Sequence, residues 1–258
     1  MNRLNFQAQC GEIPTGGHGN LARHQRRLLR RARVSALLLG CGVWLAAMST
    51  PLHAHNTPPT AYPDLAAQVD ELKPLLDSYP PKFQNEAELV TTQKRYGVLK
   101  KQLDTLLSKQ PDEPNLLLLR AELQQLGHNM DVADAFDGAA QDYQHLLAIK
   151  PKHVDGLLGF GQLLVNSSPQ NAPTAAQLFA NAQCVTPTTP NEAAQHGYFF
   201  ALYYQGQLAN AVRQARYNQQ QWPNAMHQQL IEVASAALSR AGQAVPTEAA
   251  SQLPACQP

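Results

Sequence analysis

The chain has 258 residues, enough for one domain and a targeting segment. Hydrophobic residues make up 44% and charged residues 15%, which excludes a chain disordered throughout. The net charge of +1 is unevenly spread: residues 1–54 carry +6 and the remainder −5, so the remainder has no basic footprint and nucleic acid is not an expected partner.

Residues 1–20 show no apolar period. The stretch Arg26-Arg27-Leu28-Leu29-Arg30-Arg31-Ala32-Arg33 follows, then the apolar run Val34–Met48, then Pro51 and Ala54. A basic start, an apolar core and a small-residue exit read as a secretory signal over 1–54, cleaved after Ala54. An uncleaved anchor is the alternative, because Val34–Leu52 is 19 residues, just enough to span a bilayer. In that case the membrane is touched only through this segment. Leu38-Leu39-Gly40-Cys41 has the look of a lipoprotein box, but the apolar run continues beyond Cys41, where a lipoprotein turns polar.

Residues 55–63 are polar and Pro-rich and read as a linker. From there to residue 242 the apolar spacing is helical. Asp64 is the expected N-cap of a helix carrying Leu65, Val69, Leu72, Leu75 and Leu76, kinked at Pro74. A second helix over 84–109 carries Leu89, Tyr96, Leu99, Leu103 and Leu106, so that 64–109 reads as a divergent first hairpin. The stripe Leu116, Leu119, Leu123, Leu126, Met130, Ala133 predicts a helix over 115–133 that passes through Gly127, with the turn near Asp134–Gly138. The alternative puts the turn at Gly127-His128-Asn129. Ser167–Pro173 reads as a loop, with helices over 174–185, 191–205, 207–220 and 224–241 after it. Gly242 ends the last, and 243–258 reads as a disordered tail.

A repeat runs through this array. Ala139-x3-Tyr143-x2-Leu146 leads to Pro151. Ala175-x3-Phe179-x2-Ala182 leads to Pro187, and Ala211-x3-Ala215 to Pro223. With Pro111, the prolines stand 40, 36 and 36 residues apart. Steps of four and three put these residues on one helical face, and proline ends each helix. The small residue lets a partner helix approach, and the aromatic fills the gap beyond it. Before Ala175 stands Leu157-x2-Phe160-Gly161-x2-Leu164, and the turn Gly206-Gln207-Leu208 precedes Ala211.

Together these residues resemble the tetratricopeptide repeat over 113–223, most closely over 152–187. Gln195 and Phe199 depart from it, where the pattern has its large residue and its glycine. The resemblance implies an all-α fold: a right-handed superhelical stack of antiparallel helix pairs, an α-solenoid, with 224–241 as the C-terminal capping helix. It also implies a concave groove lined by the first helix of each pair, here Leu158, Gln162, His196, Phe200 and Tyr203, which takes a protein or peptide partner. Tyr198, Phe199 and Leu202 are then expected in the core. The alternative is that Phe200 and Tyr203 pack under the C-terminal helix.

No phosphate-binding loop, nucleophile elbow or metal-spaced histidine pair is visible, so the chain reads as non-catalytic with no cofactor and no metal. Cleavage after Ala54 would expose His55, whose amine and imidazole could chelate copper; this is the one route to a metal protein or enzyme. Cys184 and Cys256, the two cysteines after the leader, are read as unpaired, with pairing in an oxidising compartment as the alternative. The expected function is that of an exported, non-catalytic scaffold. A narrower reading rests on resemblance to the periplasmic tetratricopeptide module of cytochrome c maturation, which holds an apoprotein.

Overall fold

The computed structural model describes residues 61–250. The expectations for the leader 1–54, for His55, for Cys256 and for the tail beyond 250 lie outside these residues. The described part is all helical: α1 Pro63–Asp70, α2 Lys73–Leu76, α3 Glu86–Leu107, α4 Pro114–Asn129, α5 Ala135–Ile149, α6 Val154–Ser167, α7 Ala172–Val185, α8 Glu192–Tyr204, α9 Leu208–Gln221 and α10 Ala225–Arg240. From α3 onward each helix packs on the next, and α6 also packs on both α4 and α8. None of the described helices is long and apolar enough to cross a membrane.

The start of each unit follows from its sequence. After each proline comes a residue whose side chain accepts a backbone N–H of the first turn. His153 takes Gly156 N–H at 3.2 Å, Asn191 takes Ala194 N–H at 2.9 Å, and Asn224 takes His227 N–H at 2.8 Å. Three boundaries differ from expectation. Pro63 occupies the first turn of α1, where its missing N–H costs nothing, so Asp64 lies inside the helix rather than capping it. α4 does pass Gly127 but stops at Asn129, short of Ala133. Asp131 there takes φ +57°, and Val132 N–H closes back on Gly127 O at 3.0 Å, a left-handed helix stop that aspartate tolerates. The loop expected at Ser167–Pro173 is shorter: Pro169–Asn171 form a 3-10 turn, and Pro173 lies in the first turn of α7.

The packing residues expected from the repeat are buried. Ala139, Tyr143, Ala175, Ala182 and Ala211 are fully enclosed, and Leu157, Phe160, Leu164 and Phe179 nearly so. Gly161 is buried on α6. Gly206 sits exposed in the turn before α9 at φ +72°, a conformation that favours glycine.

Two polar systems run through this core. On α4, Arg120 donates to both oxygens of Asp142 on α5 (2.8 and 2.6 Å) and to Asp104 on α3 at 3.1 Å, while Gln124 also donates to Asp142 at 2.8 Å. Farther along, Gln195 of α8 donates to Gln183 of α7 at 2.9 Å and accepts from Gln214 of α9 at 2.8 Å. Gln214 also donates to Asn218 at 2.9 Å, and Asn218 to Gln195 O at 3.2 Å. All four are buried, and each bond satisfies a group that would otherwise be costly to bury.

Residues 243–250 are not the loose chain expected. They return along α9, with Arg216 Nε donating to Pro246 O at 3.1 Å and Ala250 N–H donating to Arg213 O at 2.9 Å.

Candidate functional site

A cleft of about 260 Å³ opens where successive units meet. Its wall comes from Lys73 on α2 and Asp77 just after it, Glu122 and Gln125 on α4, Leu158 and Gln162 on α6, and the small Ala193 at the start of α8. Helices α4, α6 and α8 are the first members of successive pairs, so the cleft runs across the stack rather than within one pair.

Its polar groups are held in place. Lys73 Nζ lies 2.6 Å from Asp70 and 3.2 Å from Glu122. Burial pulls the Lys73 ammonium down, but the two carboxylates together outweigh it, so the net shift is upward and the charge is kept. Burial pushes Glu122 up, against the pull of Lys73. Burial also raises Asp77. At the cleft floor, the enclosed Tyr143 donates its hydroxyl to Gln125 Oε1 at 3.0 Å, fixing that amide. Gln162, half-buried on the wall, makes no side-chain hydrogen bond among the described residues. The cleft therefore offers an apolar strip at Leu158, an amide at Gln162, and the carboxyl groups of Asp77 and Glu122 beside one ammonium, Lys73. Such a surface presents both hydrogen-bond donors and acceptors beside an apolar strip.

Of the groove residues expected from sequence, Leu158 and Gln162 line this cleft. The other three do not. Phe200 is 3% exposed and packs edge-on against His196, with centroids 5.0 Å apart. His196 in turn faces His227 of α10 at 5.7 Å. Phe200 is therefore buried and His196 half-buried next to the C-terminal helix, and neither lines this cleft. Tyr203 is half-buried and stacks on Phe199 at 6.1 Å. Tyr198, expected in the core, is half-exposed instead. The cause is register. Gly197, not Phe199, stands 36 residues after Gly161, so α8 is turned relative to the alignment that put Phe199 at the glycine position.

Sequence reasoning missed Lys73, Asp77, Glu122 and Gln125. A signal for Glu122 existed: stepping back 36 residues from Leu158 and Gln162 lands on Glu122 and Leu126, which both line the cleft. Among the described residues no group of three or more His, Cys, Asp or Glu side chains is placed to hold a metal. Cys184, read as unpaired, is disulfide-bonded.

No family model matches the chain, and comparison with curated proteins and with solved structures likewise gives no match.

Proposed function

We propose that this chain is an exported, non-catalytic scaffold of the tetratricopeptide kind, which holds a segment of a partner polypeptide in the cleft formed by α4, α6 and α8. The observation that carries this reading is that one cleft is built from the first helices of three successive pairs. A right-handed superhelical stack would place that row on its concave side. The 36-residue spacing of Pro151, Pro187 and Pro223 and the enclosed Ala139, Ala175 and Ala211 support the repeat reading. Export is supported by the basic and apolar run over residues 26–54 and by the disulfide at Cys184, since such bonds persist in oxidising compartments.

The cleft is small and mixes apolar with polar lining, so affinity would come from a few side chains and backbone hydrogen bonds rather than from a broad apolar face. The test is to capture partners from cell-envelope extract with the full chain and then measure affinity for a partner segment defined by peptide mapping. Gln162→Ala is expected to weaken binding by about tenfold with an unchanged melting temperature. Unchanged affinity in Gln162→Ala and in Leu158→Ala would overturn the cleft as the binding site.

A further inference from the structure

Cys184, near the C-terminal end of α7, is disulfide-bonded. It is the single cysteine among the described residues, and the other cysteines of the chain are Cys10, Cys41 and Cys256. The course of residues 243–250 bears on which of them is the partner. After Gly242 turns the chain at φ +69°, Pro246 O meets Arg216 Nε at 3.1 Å. Glu248 then pairs with Arg213 Nε at 2.6 Å, and Ala250 N–H reaches Arg213 O at 2.9 Å. The segment therefore travels along α9 from the level of Arg216 to that of Arg213.

Hydrogen bonds also join this part of α9 to the end of α7 that carries Cys184. Gln214, beside Arg213, is joined through Gln195 to Gln183, the neighbour of Cys184, by bonds of 2.8 and 2.9 Å. Cys256 follows Ala250 by six residues, an extended reach of about 20 Å. Cys10 and Cys41 lie in the stretch that reads as a leader.

We propose that Cys184 is bridged to Cys256, so that the chain beyond α10 is tied covalently to α7 and acts as a strap.

The end of the stack has a need for such a strap. Ala215 stands one period after Phe179 and two after Tyr143, so the last copy of the ring position holds a methyl group. Asn218 stands where earlier units have Leu146 and Ala182, and the seam from α7 to α9 is joined by buried amides. Each unit of a stack is held only by its neighbours, so an end unit with a thin apolar seam opens first. A bridge between α7 and the chain beyond α10 spans that seam. It also closes a loop of more than 70 residues, which removes freedom from the unfolded chain. Reduction by a dithiol would undo it: the S–S bond breaks, Cys184 and Cys256 each take one hydrogen, and the two thiols of the reductant become one disulfide. The strap stands independently of the role proposed for the cleft.

The full chain, isolated without reductant, is digested and mapped by mass. The expected product is a linked peptide pair containing Cys184 and Cys256 that separates with dithiothreitol. A link from Cys184 to Cys10, to Cys41 or to a second copy, or a free Cys184 thiol, overturns the proposal. Amide hydrogen exchange then tests the mechanical role. In Cys256→Ser, and in the parent with dithiothreitol, exchange over α8–α10 is expected to rise about tenfold while α4–α6 stays as in the oxidised parent. Unchanged exchange over α8–α10, or an equal rise throughout, overturns the strap.

Discussion

Phe179 of α7 and Gly197 of α8 are in direct contact: the phenylalanine ring lies where a Cβ on Gly197 would stand. Gly161 on α6 meets the same ring, with a Cβ approach of 2.9 Å. One aromatic therefore sets the spacing of three consecutive helices, and neither glycine has room to grow.

The first prediction follows from that contact. Gly197→Ala should destabilise by about 1–3 kcal/mol, because overpacking outweighs the gain in helix propensity. Gly97→Ala is the control: its Cβ would meet nothing within 4 Å on α3, and the change should stabilise by up to about 1 kcal/mol. Thermal melts that shift the same way for both variants would contradict the packing account.

Much of this seam was legible in sequence, and the reason is periodicity. Ala139, Ala175 and Ala211, with Tyr143 and Phe179, recur at fixed spacing and all lie buried. Helical boundaries were legible at Asn191 and Asn224, where a capping residue follows a proline, but not at Pro63, where the proline itself opens the helix. The orientation of α8 was not, because aromatic side chains satisfy an apolar pattern on more than one face. Only the Gly161–Gly197 spacing distinguishes the two settings, and the expected glycine position, Phe199, lies two residues beyond it. The cleft was half legible. Leu158 and Gln162 lie on the predicted helix face, whereas Lys73 and Asp77 are brought there by a divergent hairpin that carries no repeat signal.

A second prediction separates core from groove on α8. Phe200→Ala should cost about 3–5 kcal/mol, the usual loss for a buried ring. Denaturant unfolding measures it. A cost below about 1 kcal/mol would return Phe200 to the surface.

The third concerns Arg120. Its guanidinium grips Asp142, which is 6% exposed at the side chain, while Arg120 is 25% exposed. Asp142→Ala leaves Gln124 without its acceptor and Arg120 with Asp104 alone, and a loss of about 3 kcal/mol is expected. Replacing Arg120 and Asp142 together with apolar residues should cost less than the single change. A double-mutant cycle in urea checks this, and additive losses would contradict the coupling.

The fourth is a pH dependence. Burial, with His227 adding to it, holds His196 down to about 4. Burial also lowers His227, although the hydrogen bond to Glu192 works against it. Both imidazoles are more basic unfolded than folded. Their contribution is complete above about pH 6.5 and is lost as pH falls toward the folded value. Glu122 and Asp77, raised by burial, act in the opposite sense, since their protonated forms favour the fold. His196 alone predicts a loss of about 2 kcal/mol between pH 7 and pH 5. His196→Phe should lose correspondingly less over the same range, measured by urea midpoints. Identical pH profiles in parent and variant would contradict the assignment.

The central claim is that a partner polypeptide lies in the cleft across α4, α6 and α8. A photo-crosslinking amino acid placed at Gln162, on the cleft wall, or at Asn181, exposed on α7, tests it most directly. With the captured partner present, the account predicts crosslinks to a polypeptide from position 162 and none from position 181. Crosslinks of equal yield from both positions, or from 181 alone, would contradict it.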